Sequence, residues 1–99
     1  MKIKIPQKIE VLGSTIDIVW DNDYCERSNL LGEADNNHNR ILLKEKHENI
    51  LIKDDALEET FIHELVHLVF RKIGRKDLYD DETLVESLSN TLHQVIKQL

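Results

Sequence analysis

The segment Phe61–His67, FIHELVH, carries two histidines four residues apart, with a glutamate directly after the first. On a helix, residues four apart lie one above the other with Cβ atoms about 5–6 Å apart, so His63 and His67 can direct ring nitrogens at one metal ion. Glu64 is turned by about 100° from His63, to a position beside the metal where it can hold a bound water. The spacing predicts a catalytic zinc site with Glu64 as the general base.

A hydrolytic zinc site has three protein ligands and leaves its fourth position to water, so the two histidines need a partner. We choose Glu86, because it lies away from the apolar stripe of a second predicted helix that can fold back beside the first. Asn90, four residues later on the same face, could orient the Glu86 carboxylate or a histidine. Three further residues stay open as third ligand: Glu82, Asp80 and His93.

Peptide hydrolysis also calls for a donor that stabilises the oxyanion of the tetrahedral intermediate. Tyr79, in the loop expected between the two helices, is the candidate, with Tyr24, His38 and His93 as more remote options. A tyrosine in such a loop is more often a packing anchor. His38 and His47 are expected to be exposed and without a role, and nothing near Cys25 suggests the oriented base that a cysteine nucleophile needs.

The helix that positions the motif is expected to run from about residue 56 to residue 73. Asp55 is predicted to cap its start, with Glu58 completing a capping-box spacing, and Gly74 to end it. Apolar residues cover more than half of its circumference. This predicts a buried central helix whose narrow polar arc faces a cleft.

Ahead of that helix, apolar and polar residues alternate as they do in strands. Residues 8–20 predict a hairpin with a tight turn at Gly13-Ser14. A second pair of strands is predicted at 31–35 and 40–43, because the residues between them, Asn36-Asn37-His38-Asn39, tolerate turn backbone angles.

The remaining segments complete one domain over residues 1–99, strand-rich in 1–53 and helical in 54–99. Trp20 is expected in the core, and residues 45–53 could form a short strand or an irregular lead-in. The second helix, capped by Asp80 or Asp81, carries apolar residues at three- and four-residue spacing. The sequence predicts an α+β fold in which a small, mainly antiparallel sheet packs on the central helix and a second C-terminal helix.

Composition narrows the classes of function. A net charge of −6 over 99 residues argues against a nucleic-acid partner, which needs a basic surface. No run approaches the roughly 20 apolar residues of a membrane helix, and the opening Met-Lys-Ile-Lys-Ile-Pro lacks the features of a signal peptide. A single cysteine suits a reducing compartment. We therefore expect a cytoplasmic protein that does not act on membranes.

The segments HELVH at 63–67 and VESLSN at 85–90, preceded by LGEAD at 31–35 and the apolar strand at 40–43, resemble a known family. They are similar to the small zincin-type metallopeptidase-like proteins of phages and prophages, which are related to the ImmA/IrrE peptidases. The similarity spans roughly residues 9–96, and its one specific motif is H-E-x-x-H.

The resemblance implies a minimal zincin fold with one zinc ion, His63, His67 and Glu86 as its ligands, and Glu64 as the catalytic base. This chain departs from the larger relatives because it lacks a convincing helix before the sheet and an additional domain for recognising a regulator.

The preferred hypothesis is a gluzincin-like zinc metallopeptidase that hydrolyses peptide bonds of a peptide or protein substrate. An extended substrate would add to an exposed sheet edge, at Gly32–Asp35 or Arg40–Leu43. Two competing hypotheses are a zinc-binding but inactive interaction module of phage or prophage origin, and an interaction protein without metal. Glu64 favours the enzyme, because a structural zinc site has no need of a base.

Overall fold

A computed structural model describes residues 4–99 of the chain. Met1–Ile3 lie outside the described residues. They are the first residues of the predicted domain and of the segment that was compared with a signal peptide. The elements, numbered in chain order, are β1 Lys8–Val11, β2 Ser14–Trp20, α1 Asn22–Arg27, β3 Gly32–Asp35, β4 Arg40–Leu43, β5 Lys46–His47, β6 Ile50–Leu51, α2 Asp54–Lys72, α3 Lys76–Tyr79 and α4 Glu82–Lys97.

The predicted α+β class is confirmed, with a four-stranded sheet in the order β1-β2-β4-β3. β1 pairs with β2 and β3 pairs with β4 in antiparallel fashion, whereas β2 and β4 are parallel. The sheet is therefore mixed. β4 can run parallel to β2 because α1 and β3 form the crossover between them. β4 lies inside the sheet, so the prediction that Arg40–Leu43 could be an exposed edge is wrong, and β3 is the edge on that side.

The core forms where one face of the sheet meets α2 and α4. Ile16 and Ile18 of β2 alternate with exposed polar residues and are buried together with Ile41 and Leu43 of β4. They pack on apolar residues of the two helices: Phe61, Ile62, Val66, Leu68 and Val85. Each fully buried side chain of this size contributes about 1.5–3 kcal/mol of hydrophobic stabilisation. This packing fixes α2 beneath the sheet.

Two local predictions differ from the structure, and one short helix was not predicted. The first turn lies at Leu12 and Gly13, both at positive φ (49° and 81°), so Ser14 already begins β2. Trp20 is not in the core, since 45% of its surface is exposed at the end of β2. Helix α1, capped by the Asp21 carboxylate accepting from the Tyr24 N–H, was not predicted, because six residues are too few to display a helical period.

The ambiguous segment at 45–53 contains a two-stranded hairpin, β5–β6. Its tight turn is formed by Glu48 and Asn49, both at positive φ. Ile50 and Leu51 are exposed, so this hairpin lies outside the core.

Helix α2 begins directly after Lys53, and no side chain caps it. The predicted capping box of Asp55 and Glu58 is wrong. Glu58 is 1% exposed and accepts hydrogen bonds from His93 (2.9 Å) and Lys97 (3.2 Å) on α4, so its carboxylate joins the two helices.

The predicted stop at Gly74 is confirmed. Gly74 adopts φ +79°, and the N–H groups of Gly74 and Arg75 donate to the carbonyls of Arg71 and Phe70. This is a Schellman ending, which turns the chain back towards α3 and α4.

The second predicted helix is confirmed as α4, with Asp81 as its cap, accepting from the Leu84 N–H. Its buried residues are Val85, Ser89 and His93, whereas the apolar residues expected to complete the buried stripe, Leu92, Val95 and Leu99, are exposed. In the first half of α4, Glu82 and Glu86 face the H-E-x-x-H motif. Within residues 4–99, no helix has both the length and the apolarity needed to cross a membrane.

Gly32 sets the distance between β3 and α2. A Cβ atom at this position would lie 2.8 Å from Thr60 Cγ2 and 3.0 Å from the Leu42 carbonyl oxygen. Only a residue without a side chain permits this approach.

We expect Gly32→Ala to destabilise the protein by about 1–3 kcal/mol, because an added methyl group overpacks this contact. Urea unfolding of the two proteins measures the difference. Adding Thr60→Ser removes the nearest methyl group and should restore part of the loss. A Gly32→Ala protein as stable as wild type would contradict the role of this close approach.

Candidate metal centre

Helix α2 presents His63 and His67 to the first turns of α4. The Nε2 atoms of the two imidazoles lie 3.2 Å apart. Glu82 reaches both, with one carboxylate oxygen 2.9 Å from His67 Nε2 and the other 3.4 Å from His63 Nε2. The ligand atoms of these three residues lie within 4.8 Å of one another, so they could hold one metal ion.

The other nitrogen of each imidazole has its own partner. His67 Nδ1 lies 2.7 Å from the backbone carbonyl oxygen of Tyr79, to which it can only donate. His63 Nδ1 lies 3.1 Å from a carboxylate oxygen of Glu86. Nδ1–H donation to these oxygens leaves both Nε2 lone pairs directed at the space shared with Glu82.

The predicted third ligand, Glu86, therefore occupies a different place from the one expected. It contacts the outer nitrogen of His63, and its other oxygen accepts from Asn90 Nδ2 at 3.2 Å, as the spacing of these two residues suggested. Glu82, which the sequence left open as a ligand, lies where a third ligand would lie. Glu82 precedes Glu86 by about one turn, so sequence spacing alone does not separate them.

Asp80 and His93, which the sequence also left open as third ligand, do not approach both imidazoles. Asp80 forms an exposed ion pair with Lys76, at 2.6 Å. His93 lies at the far end of α4, where Asp55 and Glu58 offer it a second group of possible ligand atoms. Lys97 contacts both of these carboxylates, at 3.1 and 3.2 Å, and already offsets part of their charge. We interpret this group as an ion-pair network.

Glu64 lies on the sheet side of the motif, where it accepts a hydrogen bond from the backbone N–H of Ala34 in β3. The pKa of its carboxyl is raised from 4.5 to about 7, chiefly by burial and further by the negative charges of Glu82 and Glu33, against the opposing effect of the Ala34 hydrogen bond. A carboxyl group with a pKa near 7 is suited to exchange protons at neutral pH.

A cleft opens on both sides of His63 and Glu64, between α2 and the edge strand β3. One part, of about 460 Å³, includes His67, Glu82 and Tyr79. The other, of about 330 Å³, extends past Gly32 to Glu86. The motif thus faces a cleft, as the narrow polar arc of α2 predicted.

The remaining candidate residues are distributed as follows. Tyr79 belongs to α3, and its ring makes an edge contact with His67 at a centroid distance of 5.3 Å while lining the cleft. The hydroxyl of Tyr24 is 3.0 Å from the Glu33 carboxylate. His38 is exposed and pairs with Asp35.

His47 and Cys25 lie in a separate cluster near α1. Buried Lys44 donates to His47 Nδ1 at 2.7 Å and approaches Glu26. The thiol of Cys25 is fully buried, and burial raises its pKa. A buried thiol with a raised pKa is a poor nucleophile.

Two contacts of the site left no signal in the sequence. The Tyr79 carbonyl and the Ala34 N–H are backbone groups, present at nearly every position, so residue types and spacing do not reveal them. Glu82 did leave a signal, as an acidic residue in the first turn of α4.

Comparisons with protein-family models, with curated proteins and with solved structures each find no match to this chain.

The raised pKa of Glu64 predicts a pH-dependent penalty on folding in the metal-free protein. The folded state holds the Glu64 proton more tightly than the unfolded state, so this contribution to stability falls as pH rises from 4.5 to about 7. Above that range, Glu64→Gln should be more stable than wild type by roughly 3 kcal/mol, and the difference should become small near pH 4.5.

Thermal and urea unfolding in the presence of a chelator at pH 4.5 and pH 8 test this. The exposed Glu10 of β1 gives a matched control, since Glu10→Gln removes the same charge far from the cleft. A Glu64→Gln effect that is the same at both pH values would contradict the assigned environment of the carboxyl.

Proposed function

We propose that the protein is a zinc-dependent peptidase of the zincin type, with His63, His67 and Glu82 as zinc ligands and Glu64 as general base. The observation that carries this proposal is the convergence of the three ligand groups beside a buried carboxyl with a raised pKa. Relative to the sequence prediction, Glu82 replaces Glu86 as third ligand, and Glu86 becomes a positioning residue for His63.

The donor geometry fits zinc. Bonds of about 2.0–2.1 Å to nitrogen and oxygen place the ligand atoms of a tetrahedral site about 3.3 Å apart. The separations here are 2.9, 3.2 and 3.4 Å. The partners of the two Nδ1 atoms support the same assignment, because zinc-binding histidines usually donate their second N–H to a carboxylate or a backbone carbonyl.

When bound, zinc would lower the pKa of a coordinated water and polarise the substrate carbonyl. Glu64 has the position to take the proton of the attacking water on its carboxylate and to pass it to the leaving amine. The Ala34 N–H holds this carboxylate at the strand edge. Tyr79, beside His67, remains the candidate for a hydroxyl donor to the oxyanion.

The edge strand β3 supports binding of an extended peptide. Gly32 and Ala34 point their backbone groups to the same side of the strand, because direction alternates along it. The Ala34 N–H points to Glu64, so this side faces the cleft. A peptide could add here as a further strand, with its scissile bond beside Glu64. A phage or prophage setting and a cytoplasmic location stay predictions from the sequence.

A second candidate function is a zinc-binding interaction module without turnover. One observation favours it: the Ala34 N–H, which an extended substrate would use, is occupied by Glu64. Hydrolysis then requires Glu64 to release this N–H when substrate enters.

We expect the purified protein, stripped with a chelator and titrated with Zn²⁺, to bind one ion per chain. His63→Ala and His67→Ala should abolish this binding. Glu82→Gln should weaken it more than about 100-fold, whereas Glu86→Gln, which removes only an orienting contact, should cost about 10- to 100-fold. Asp80→Asn should bind like wild type, because Asp80 pairs with Lys76.

Calorimetric titration and metal analysis provide the measurement. A larger loss for Glu86→Gln than for Glu82→Gln would return the ligand role to Glu86. Stoichiometric binding by His63→Ala would refute the site.

For activity, we expect wild-type protein loaded with zinc to cleave members of a proteome-derived peptide library. Glu64→Gln should retain zinc and lose about 10²- to 10⁴-fold in cleavage rate, because its amide cannot accept the proton. Mass spectrometry of the digests measures both. Indistinguishable patterns from wild type and Glu64→Gln, with zinc bound to each, would favour the interaction module.

A further inference from the structure

The smaller part of the cleft, of about 330 Å³, lies beside His63 and Glu64 at the Gly32 end of β3. Its size falls within the range of about 300–1,000 Å³ that is usual for ligand pockets. Because it adjoins the proposed catalytic carboxyl, a side chain bound there would belong to a residue next to the scissile bond.

The walls near Gly32 are apolar. Leu30 and Leu31 line the cavity, and Gly32 adds no side chain. The Thr60 hydroxyl donates to the Ala56 carbonyl at 3.0 Å, while the Thr60 methyl group is the atom closest to Gly32. This stretch suits the aliphatic stem of a long side chain.

Two carboxylates, of Glu59 and Glu86, line the same cavity. Their side chains are 53% and 61% exposed, so an entering group can reach them. Among the described residues that line the cavity, there is no lysine or arginine to balance them. Glu86 contacts Asn90 and His63 with one oxygen each, and Glu59 lies 3.7 Å from His93 Nδ1. Because each carboxylate oxygen has two lone pairs, both carboxylates can still accept from a cation.

We propose that this cavity binds the side chain of a lysine or arginine in the peptide substrate, with its stem along Leu30, Leu31 and Gly32 and its cationic end at Glu59 and Glu86. A long, flexible stem that ends in a positive charge can contact the apolar wall and the two carboxylates at the same time. A short, purely apolar or acidic side chain makes favourable contact with at most one of them.

The strand direction assigns the side of the scissile bond. A peptide antiparallel to β3 runs from the Asp35 end towards the Gly32 end, so its residues C-terminal to the scissile bond pass this cavity. The basic residue is therefore the one whose amine leaves. This assignment rests on the proposed peptidase function, whereas preferential binding of a basic side chain can be measured without turnover.

The test uses full-length Glu64→Gln protein with zinc present and three end-blocked hexapeptides. The peptides are Ac-Ala-Ala-Ala-X-Ala-Ala-amide, with lysine, norleucine or glutamate as X. Norleucine keeps the unbranched apolar stem and removes the charge. We expect the lysine peptide to bind about tenfold more tightly than the norleucine peptide, and the glutamate peptide to bind more weakly than both.

Adding Glu59→Gln should reduce the preference for lysine, and Glu59→Lys should reverse it in favour of the glutamate peptide. If Glu59 had only a structural role, replacing it with lysine would not reverse the preference between the two peptides. Glu10→Gln, remote from the cleft, serves as the control with an equal change of charge and should leave the preference unchanged.

Equal affinity for the lysine and norleucine peptides, or a lysine preference that Glu59→Lys leaves unchanged, would overturn the inference, as would failure of all three peptides to bind. Library cleavage that depends on Glu64 but shows no preference for a basic residue would overturn it too, while the peptidase function would stand. Failure of the wild-type protein to bind Zn²⁺ in a calorimetric titration would instead refute the function.

Discussion

The packing of α2 against α4 is the constraint on which the site depends. Helix α2 contributes both imidazoles and Glu64, whereas α4 contributes the Glu82 carboxylate that approaches both Nε2 atoms. Two imidazole nitrogens 3.2 Å apart, with two carboxyl groups close by, form a concentrated set of electron-pair donors. Burial is the main cause of the raised pKa of Glu64, and the nearby negative charge of Glu82 adds to it.

The orientation of the two imidazoles comes from elements outside the motif. The Tyr79 carbonyl of α3 holds one ring, and Glu86 of α4 holds the other. Both partners follow from the Schellman ending at Gly74, which returns the chain to the histidine-bearing face of α2. On the opposite side, the absence of a side chain at Gly32 brings β3 close to α2 and so places the Ala34 N–H beside Glu64.

Much of this arrangement could be predicted, because it depends on local periodicity. The two long helices, the hairpins at both sheet edges and the pairing of His63 with His67 follow from spacing along one element. Which of Glu82 and Glu86 approaches both Nε2 atoms could not be predicted, since it depends on how α4 is rotated against α2. The position of β4 inside the sheet also escaped prediction, because it depends on the crossover through the short helix α1. Glu58 fits the spacing of a cap, yet its burial against His93 and Lys97 gives it another role.

The contact between Glu58 and His93 has a consequence for the distant cleft. Along α4, His93 lies eleven residues from Glu82, about 16 Å at the rise of an α-helix. If α4 slid along α2 by a single turn, the buried carboxylate would lose its partner at one end at the same time as the imidazoles lost Glu82 at the other. The two helices are thus joined at two separated points, and the contact between Glu58 and His93 keeps Glu82 in register with the two imidazoles.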